Sequence, residues 1–153
     1  MKKLSLILLL AVFCCGFTIQ ASANGDDKEK IQKVIKSAYV EGIQNAGSIE
    51  DIENGFHPGF NLLIYKGDMM DKLPIYNWIE YVKKRKEKNP EPPAEENKTT
   101  VEFEDIDITG TAAIAKIKLF RDGKHIFTDY LSLYNFTGKG WKIVGKIYYK
   151  IPE

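Results

Sequence analysis

The chain has 153 residues, 44% of them hydrophobic and 28% charged, with 22 lysines and arginines against 21 acids. That length allows one domain with a buried core, and the near balance of charge excludes the broad basic face that a nucleic-acid partner requires. Both cysteines, Cys14 and Cys15, fall in a segment read below as removable, which excludes disulfides and thiol chemistry from the mature domain.

In chain order, Lys2 and Lys3 precede the apolar run Leu4 to Phe17, and Ala21-Ser22-Ala23 follows. This is the layout of a secretory signal with its cleavage site. It predicts a signal peptide over 1–23 and a single domain over 24–153, secreted or periplasmic. The apolar run is too short to span a bilayer, so no membrane association is expected after cleavage. Losing Lys2 and Lys3 leaves 20 cations against 21 acids. A lipid anchor on Cys14 or Cys15 is the rival reading, although bulky Phe13 stands where a lipoprotein signal needs a small residue.

A short polar tail, Asn24 to Lys28, is expected before a helix over Lys28 to Asn45, where Ile31, Ile35, Ala38, Tyr39 and Gly42 recur at helical spacing. Ser48, with Asp51 three residues on, is placed to cap a second short helix, which Gly55-Phe56-His57-Pro58-Gly59 ends. Phe60 to Tyr65 reads as a strand with Phe60, Leu62 and Ile64 on one face, and Met69 to Leu73 as its return. Pro74 suits a helix start, and Ile75, Trp78, Ile79 and Val82 form the apolar stripe of that helix. Its basic end, Lys83-Lys84-Arg85-Lys86-Glu87-Lys88, reads as a solvated helix terminus where cations suit the dipole. Asn89 to Glu96 is a proline-rich loop.

Three or four strands finish the chain, at roughly Thr99–Thr109, Ala112–Arg121, His125–Phe136 and Trp141–Ile151. The apolar phase of the first slips between Phe103 and Ile106, which predicts a bulge near Glu104-Asp105. Asp122-Gly123 is a hairpin turn, and Thr137 to Gly140 is another. If the last hairpin pairs Phe136 with Trp141, Lys146 opposes Leu131 and Asp129 opposes Tyr148. Asp129 shares a face with Leu131 and Leu133; if that face is buried, the carboxylate needs a partner or a purpose, and Lys146 is its diagonal neighbour. The other face would carry Tyr130, Tyr134, Trp141, Ile143 and Ile147. An exposed apolar surface of that size predicts a homodimer through the sheet.

The order of elements is helix, short helix, two strands, helix, then a long antiparallel meander. It predicts an α+β fold, a curved antiparallel sheet wrapped around the N-terminal helices in a cystatin-like cone. This order, with Phe56-His57-Pro58, Pro74-Ile75-x-x-Trp78, Ile106-Asp107-Ile108-x-Gly110, Phe127-Thr128-Asp129-Tyr130-Leu131-Ser132-Leu133 and Trp141-Lys142-Ile143-Val144, resembles the nuclear transport factor 2-like superfamily. Within it, the run is most similar to the branch labelled "Putative lumazine-binding". The superfamily also holds SnoaL-like cyclases, scytalone dehydratases and ketosteroid isomerases. By position, the resemblance puts Tyr39 and Asp129 where the isomerases keep their oxyanion-hole tyrosine and carboxylic acid. The position of the isomerase base falls near Ile64 or Tyr65, and no carboxylate is there. Without a base there is no proton abstraction.

The expectation is therefore a small-molecule-binding or interaction module, not a catalyst, with an apolar pocket. Its candidate lining is Tyr39, His57, Ile64, Trp78, Phe103, Asp129 and Lys146, and its ligand a small apolar or aromatic molecule of unknown identity. The alternative is a small enzyme of the cyclase or dehydratase kind using Asp129 with His57 or Tyr39. Two separated histidines, His57 and His125, and no mature cysteine argue against a zinc site. No glycine-rich phosphate loop is visible, so no cofactor is expected.

Overall fold

The computed structural model describes residues 20–152, and the predicted signal and lipid-anchor residues before Gln20 lie outside them. Helix α1 (Gln20–Val34) runs directly into a π-helix (Ile35–Gln44), followed by α2 (Ile49–Gly55), β1 (Phe56–Lys66), β2 (Met69–Pro74) and α3 (Ile75–Lys88). The meander is β3 (Thr100–Thr109), β4 (Ala112–Arg121), β5 (Lys124–Phe136) and β6 (Gly140–Lys150). The six strands form one sheet in the order β2-β1-β6-β5-β4-β3, antiparallel throughout except where β1 runs parallel to β6. The helices pack on one face, and the core lies between them and the sheet.

Local chemistry explains most boundaries. The Ser48 hydroxyl accepts from the Asp51 amide at 3.2 Å, so the expected N-cap of α2 is made. Asp122 and Gly123 both have positive φ, 51° and 70°, which is what a tight hairpin with the native strand twist demands. The predicted polar tail at Asn24–Lys28 is helical instead. Lys30 reaches back to Asp26 at 2.5 Å and Asp27 at 3.5 Å, the spacing that supports a helix.

Helix α2 lies very close to the π-helix. A methyl built on Gly55 would stand 2.1 Å from the Ala38 Cβ, and one on Gly42 would stand 2.5 Å from the Ile52 Cγ1. Gly55→Ala should therefore cost about 1–3 kcal/mol by overpacking. A urea titration should show it as a lower midpoint with unchanged slope.

Of the register shifts in the sheet, two bulges decide which residues face the core at the ends of the meander. One skips Glu104 between Phe103 and Asp105, where the sequence placed it. The freed Glu104 side chain bridges Lys116 at 2.9 Å and Lys118 at 2.6 Å, and these two ammonium groups hold its carboxyl down to about 2. The other was not expected. The last hairpin closes with Phe136 opposite Gly140 and Leu133 opposite Ile143; Val144 is then extra, and Ser132 faces Gly145. Beyond this bulge the register is the expected one, with Leu131 opposite Lys146 and Asp129 opposite Tyr148.

The second bulge corrects the predicted dimer face. Trp141 and Ile143 precede it and point into the core, 3% and 0% exposed, whereas Ile147 lies beyond it and is 52% exposed. One extra residue flips the alternation. The outer face instead carries Ile114, Tyr130, Tyr134, Ile147 and Tyr149, all substantially exposed. Buried Trp141 donates its indole N–H to Asp27 of α1 at 3.2 Å, which ties the first helix to β6.

Candidate functional site

Alternation along β5 turns Asp129, Leu131 and Leu133 toward the helices, and all three are essentially inaccessible. Asp129 is fully buried, and so is Tyr39 of the π-helix; Lys146 of β6 is 5% exposed. The three meet. The Tyr39 hydroxyl donates to Asp129 Oδ2 at 2.5 Å, and the Lys146 ammonium lies 2.9 Å from Asp129 Oδ1. The second contact is ionic rather than a well-angled hydrogen bond, since Oδ1 has no hydrogen-bond partner among the described residues. Gln44 donates its amide to the Tyr39 oxygen at 3.0 Å. These two residues are five apart, and i→i+5 is the stacking interval of a π-helix, a form often kept for functional positions.

Electrostatics follow from burial. Desolvation raises the Tyr39 hydroxyl well above its usual value, and the Asp129 charge adds to it. Desolvation lowers the Lys146 ammonium, while Asp129 pulls it back up. Tyr39 is thus a donor held in its neutral form and is no base. The Lys146 ammonium also sits 4.4 Å from the Tyr148 ring centre and 5.4 Å from that of Tyr39, a cation between two aromatic faces. Asp129 is the one polar group within bonding reach of that ammonium among the described residues.

The Tyr39 proton has a consequence at high pH. A group whose folded pKa is raised contributes stability that is complete below its unfolded value, about 10 for tyrosine, and lost as pH rises through the folded value. The lowered Lys146 acts in the opposite sense, its burial cost fading as pH approaches the ordinary lysine range. Tyr39→Phe should therefore remove an alkaline loss of stability expected of the wild type above about pH 10. Tyrosinate absorbance should show one fewer late-ionising ring in the variant.

The indole of Trp78, half-buried on α3, completes an aromatic cluster, with ring centres 6.0 Å from Tyr39, 6.4 Å from Phe56 and 6.0 Å from Phe60. Ile64, Phe103 and Tyr148 are half-buried at the border of the core, and the Lys36 ammonium lies 5.7 Å over the Phe103 ring. His57 does not join this group. Phe56 points into the core, so its neighbour points out, and the His57 ring stacks on Phe136 at 4.7 Å while Nδ1 accepts from the Gly59 amide at 3.0 Å. Phe136 in turn meets half-exposed Tyr134 on the outer face. An acid–base pair of Asp129 with His57 is ruled out by this geometry.

Sequence reasoning missed Gln44, Phe56 and Tyr148. The register already read for β6 placed Tyr148 opposite Asp129, and that was the available signal. Two open concavities of about 320 and 300 Å3 mark the surface. The first lies between the π-helix and β3, around Lys36, Glu41, Lys98 and Val101, and the second on α3. Neither is lined by Tyr39, Asp129 or Lys146. No three histidine, cysteine or carboxylate side chains converge to hold a metal among the described residues.

A family model described as "Putative lumazine-binding" matches residues 26–149. Among solved structures, the chain is similar to an NTF2-like protein of unknown function from Shewanella baltica OS155, at 27% identity and a TM-score of 0.64 over 84% of this chain and 97% of that one. A second, from Methylobacillus flagellatus KT, is 22% identical with a TM-score of 0.61 over 83% and 94%. A third, from Silicibacter pomeroyi DSS-3, is 14% identical with a TM-score of 0.63 over 87% and 100%, a likeness of fold. No curated protein matches.

Proposed function

Since the chain belongs to the family described as "Putative lumazine-binding", of the nuclear transport factor 2-like superfamily, we propose that it is a non-catalytic module that binds a small aromatic molecule against Tyr39, Trp78 and Lys146. The observation that carries this reading is the nearly buried Lys146 ammonium, which has three donors and one polar partner among the described residues, set between two aromatic rings. A flat ligand carrying a carbonyl or carboxylate oxygen can take a free donor and lie against Trp78 and Tyr148, with half-buried Ile64 and Phe103 at the border of the same apolar wall. Entry requires these half-buried side chains to part.

The cyclase or dehydratase reading keeps one observation, the short Tyr39–Asp129 contact. Against it, Asp129 is neutralised by Lys146, and Tyr39 holds its proton. The module is proposed to act outside the cytoplasm, as Lys2 through Ala23 suggest. It is proposed to pair with its own copy through Tyr130, Tyr134 and Ile147, joined by Ile114 and Tyr149 in place of Trp141 and Ile143.

Native mass spectrometry of the protein purified from its own host tests ligand and assembly together. A retained small molecule, absent from a folded Asp129→Asn/Lys146→Met variant, supports the reading. A wild type that carries nothing and whose Trp78 fluorescence ignores a panel of conjugated carbonyl compounds overturns it.

A further inference from the structure

The second concavity has a composition that the Tyr39–Asp129–Lys146 site does not explain. Tyr81, Lys84, Arg85 and Lys88 recur at i, i+3, i+4 and i+7 on α3, so they form one stripe beside the buried stripe of Ile75, Ile79 and Val82. With Asn89 they line a space of about 300 Å3. Other cations of this run are engaged: Lys83 pairs with Glu80 at 2.9 Å, and Lys86 donates to the Gly47 carbonyl at 2.8 Å, near the end of the π-helix. Lys84 and Lys88 have no ion-pair partner among the described residues.

The charge of a second arginine acts on Arg85. Arg85 donates to the Ile43 carbonyl, and Arg121 of β4 donates through Nε and Nη2 to the Thr99 hydroxyl at 3.3 and 2.9 Å. These anchors adjoin, because Asn45 clasps Thr99 through both ends of its amide, at 3.1 and 2.8 Å. Burial lowers the Arg85 pKa, and the charge of Arg121 lowers it further. Both guanidinium groups are thus held by neutral acceptors. No carboxylate lies within 4.0 Å of either among the described residues.

We propose that the α3 flank formed by Tyr81, Lys84, Arg85 and Lys88 is a second binding site, for a soluble phosphate monoester. Like charges brought together without counter-charge repel, and a bound dianion removes that repulsion. A guanidinium fork matches the edge of a tetrahedral oxyanion and can donate to two of its oxygens at once. Lys84 and Lys88 supply point charges around it. The Tyr81 ring offers an apolar face to whatever group the phosphate is esterified to. The site lies on the flank of α3 beside the core-facing stripe and does not depend on the function proposed for the buried cluster.

Calorimetric titration of the mature protein with inorganic phosphate and with phenyl phosphate, at ionic strength fixed with sodium chloride, tests this. Both should bind saturably, phenyl phosphate more tightly. Lys84→Gln/Lys88→Gln, which touches no capping contact, should weaken both by about tenfold or more, as loss of charge-assisted bonds does, with a cooperative urea transition retained. Tyr81→Ala should bring phenyl phosphate down to the affinity of inorganic phosphate. The proposal is overturned if sodium chloride alone gives the same heats, or if the double variant binds as well as the wild type. Binding to phosphatidic-acid vesicles without binding to either soluble phosphate also overturns it.

Discussion

Lys146→Met alone should cost about 3–5 kcal/mol of stability, and adding Asp129→Asn should restore most of it. The single change leaves a fully buried carboxylate with the Tyr39 hydroxyl as its only remaining hydrogen-bond or ion-pair partner among the described residues. Removing one partner of a buried pair exposes the other to the whole desolvation cost, whereas removing both charges removes the cost as well. Asparagine keeps an oxygen for the Tyr39 hydroxyl, and methionine fills the lysine stem between the two rings. Urea denaturation of the wild type, Lys146→Met and the double variant reads the difference. A double variant no more stable than the single one would show that Asp129 and Lys146 do not hold each other, and that the stability of this cluster comes from Tyr39 and Gln44.

Ile143→Glu should unfold the protein, while Ile147→Glu with Tyr134→Glu should leave it folded and monomeric. The two isoleucines lie four apart, and an unbroken strand would place them on one face. The Val144 bulge separates them: Ile143 is fully buried and Ile147 is half exposed. A glutamate forced into the first position brings a carboxylate into a core with no partner, a penalty of roughly 5 kcal/mol or more, comparable with the whole stability of a small domain. At the second position it meets water or a partner copy. Circular dichroism checks the fold, and sedimentation at micromolar concentration checks the assembly. A folded Ile143→Glu variant would contradict the bulge, and an unmutated protein that sediments as a monomer would contradict the outer-face dimer.

The two bulges show where sequence reasoning holds and where it stops. In β3 the extra residue is charged Glu104, so the apolar phase visibly slips between Phe103 and Ile106. In β6 the slip falls at Val144, between Ile143 and Ile147, where both faces carry apolar residues and no break in pattern exists. Gly145 helps the strand absorb the irregularity, since a methyl there would stand 2.8 Å from the Ser132 hydroxyl oxygen. The basic run of α3 shows the same limit. Its cations look solvated in sequence, but Arg85 and Lys86 bond the carbonyls of Ile43 and Gly47, partners some forty residues earlier in the chain.

The sequence by itself determined the α+β cone, the long antiparallel meander, the Ser48 cap, and Asp129 and Lys146 as neighbours on one face. Each of these rests on local signals: alternation, helical spacing, turn residues and caps. Only the tertiary structure decided the π-helical turn that sets Gln44 against Tyr39, the outward turn of His57 onto Phe136, and the burial of Trp141 and Ile143. Those depend on how distant segments pack, and a single inserted residue or a widened helical turn redirects side chains without changing the composition that pattern reading relies on.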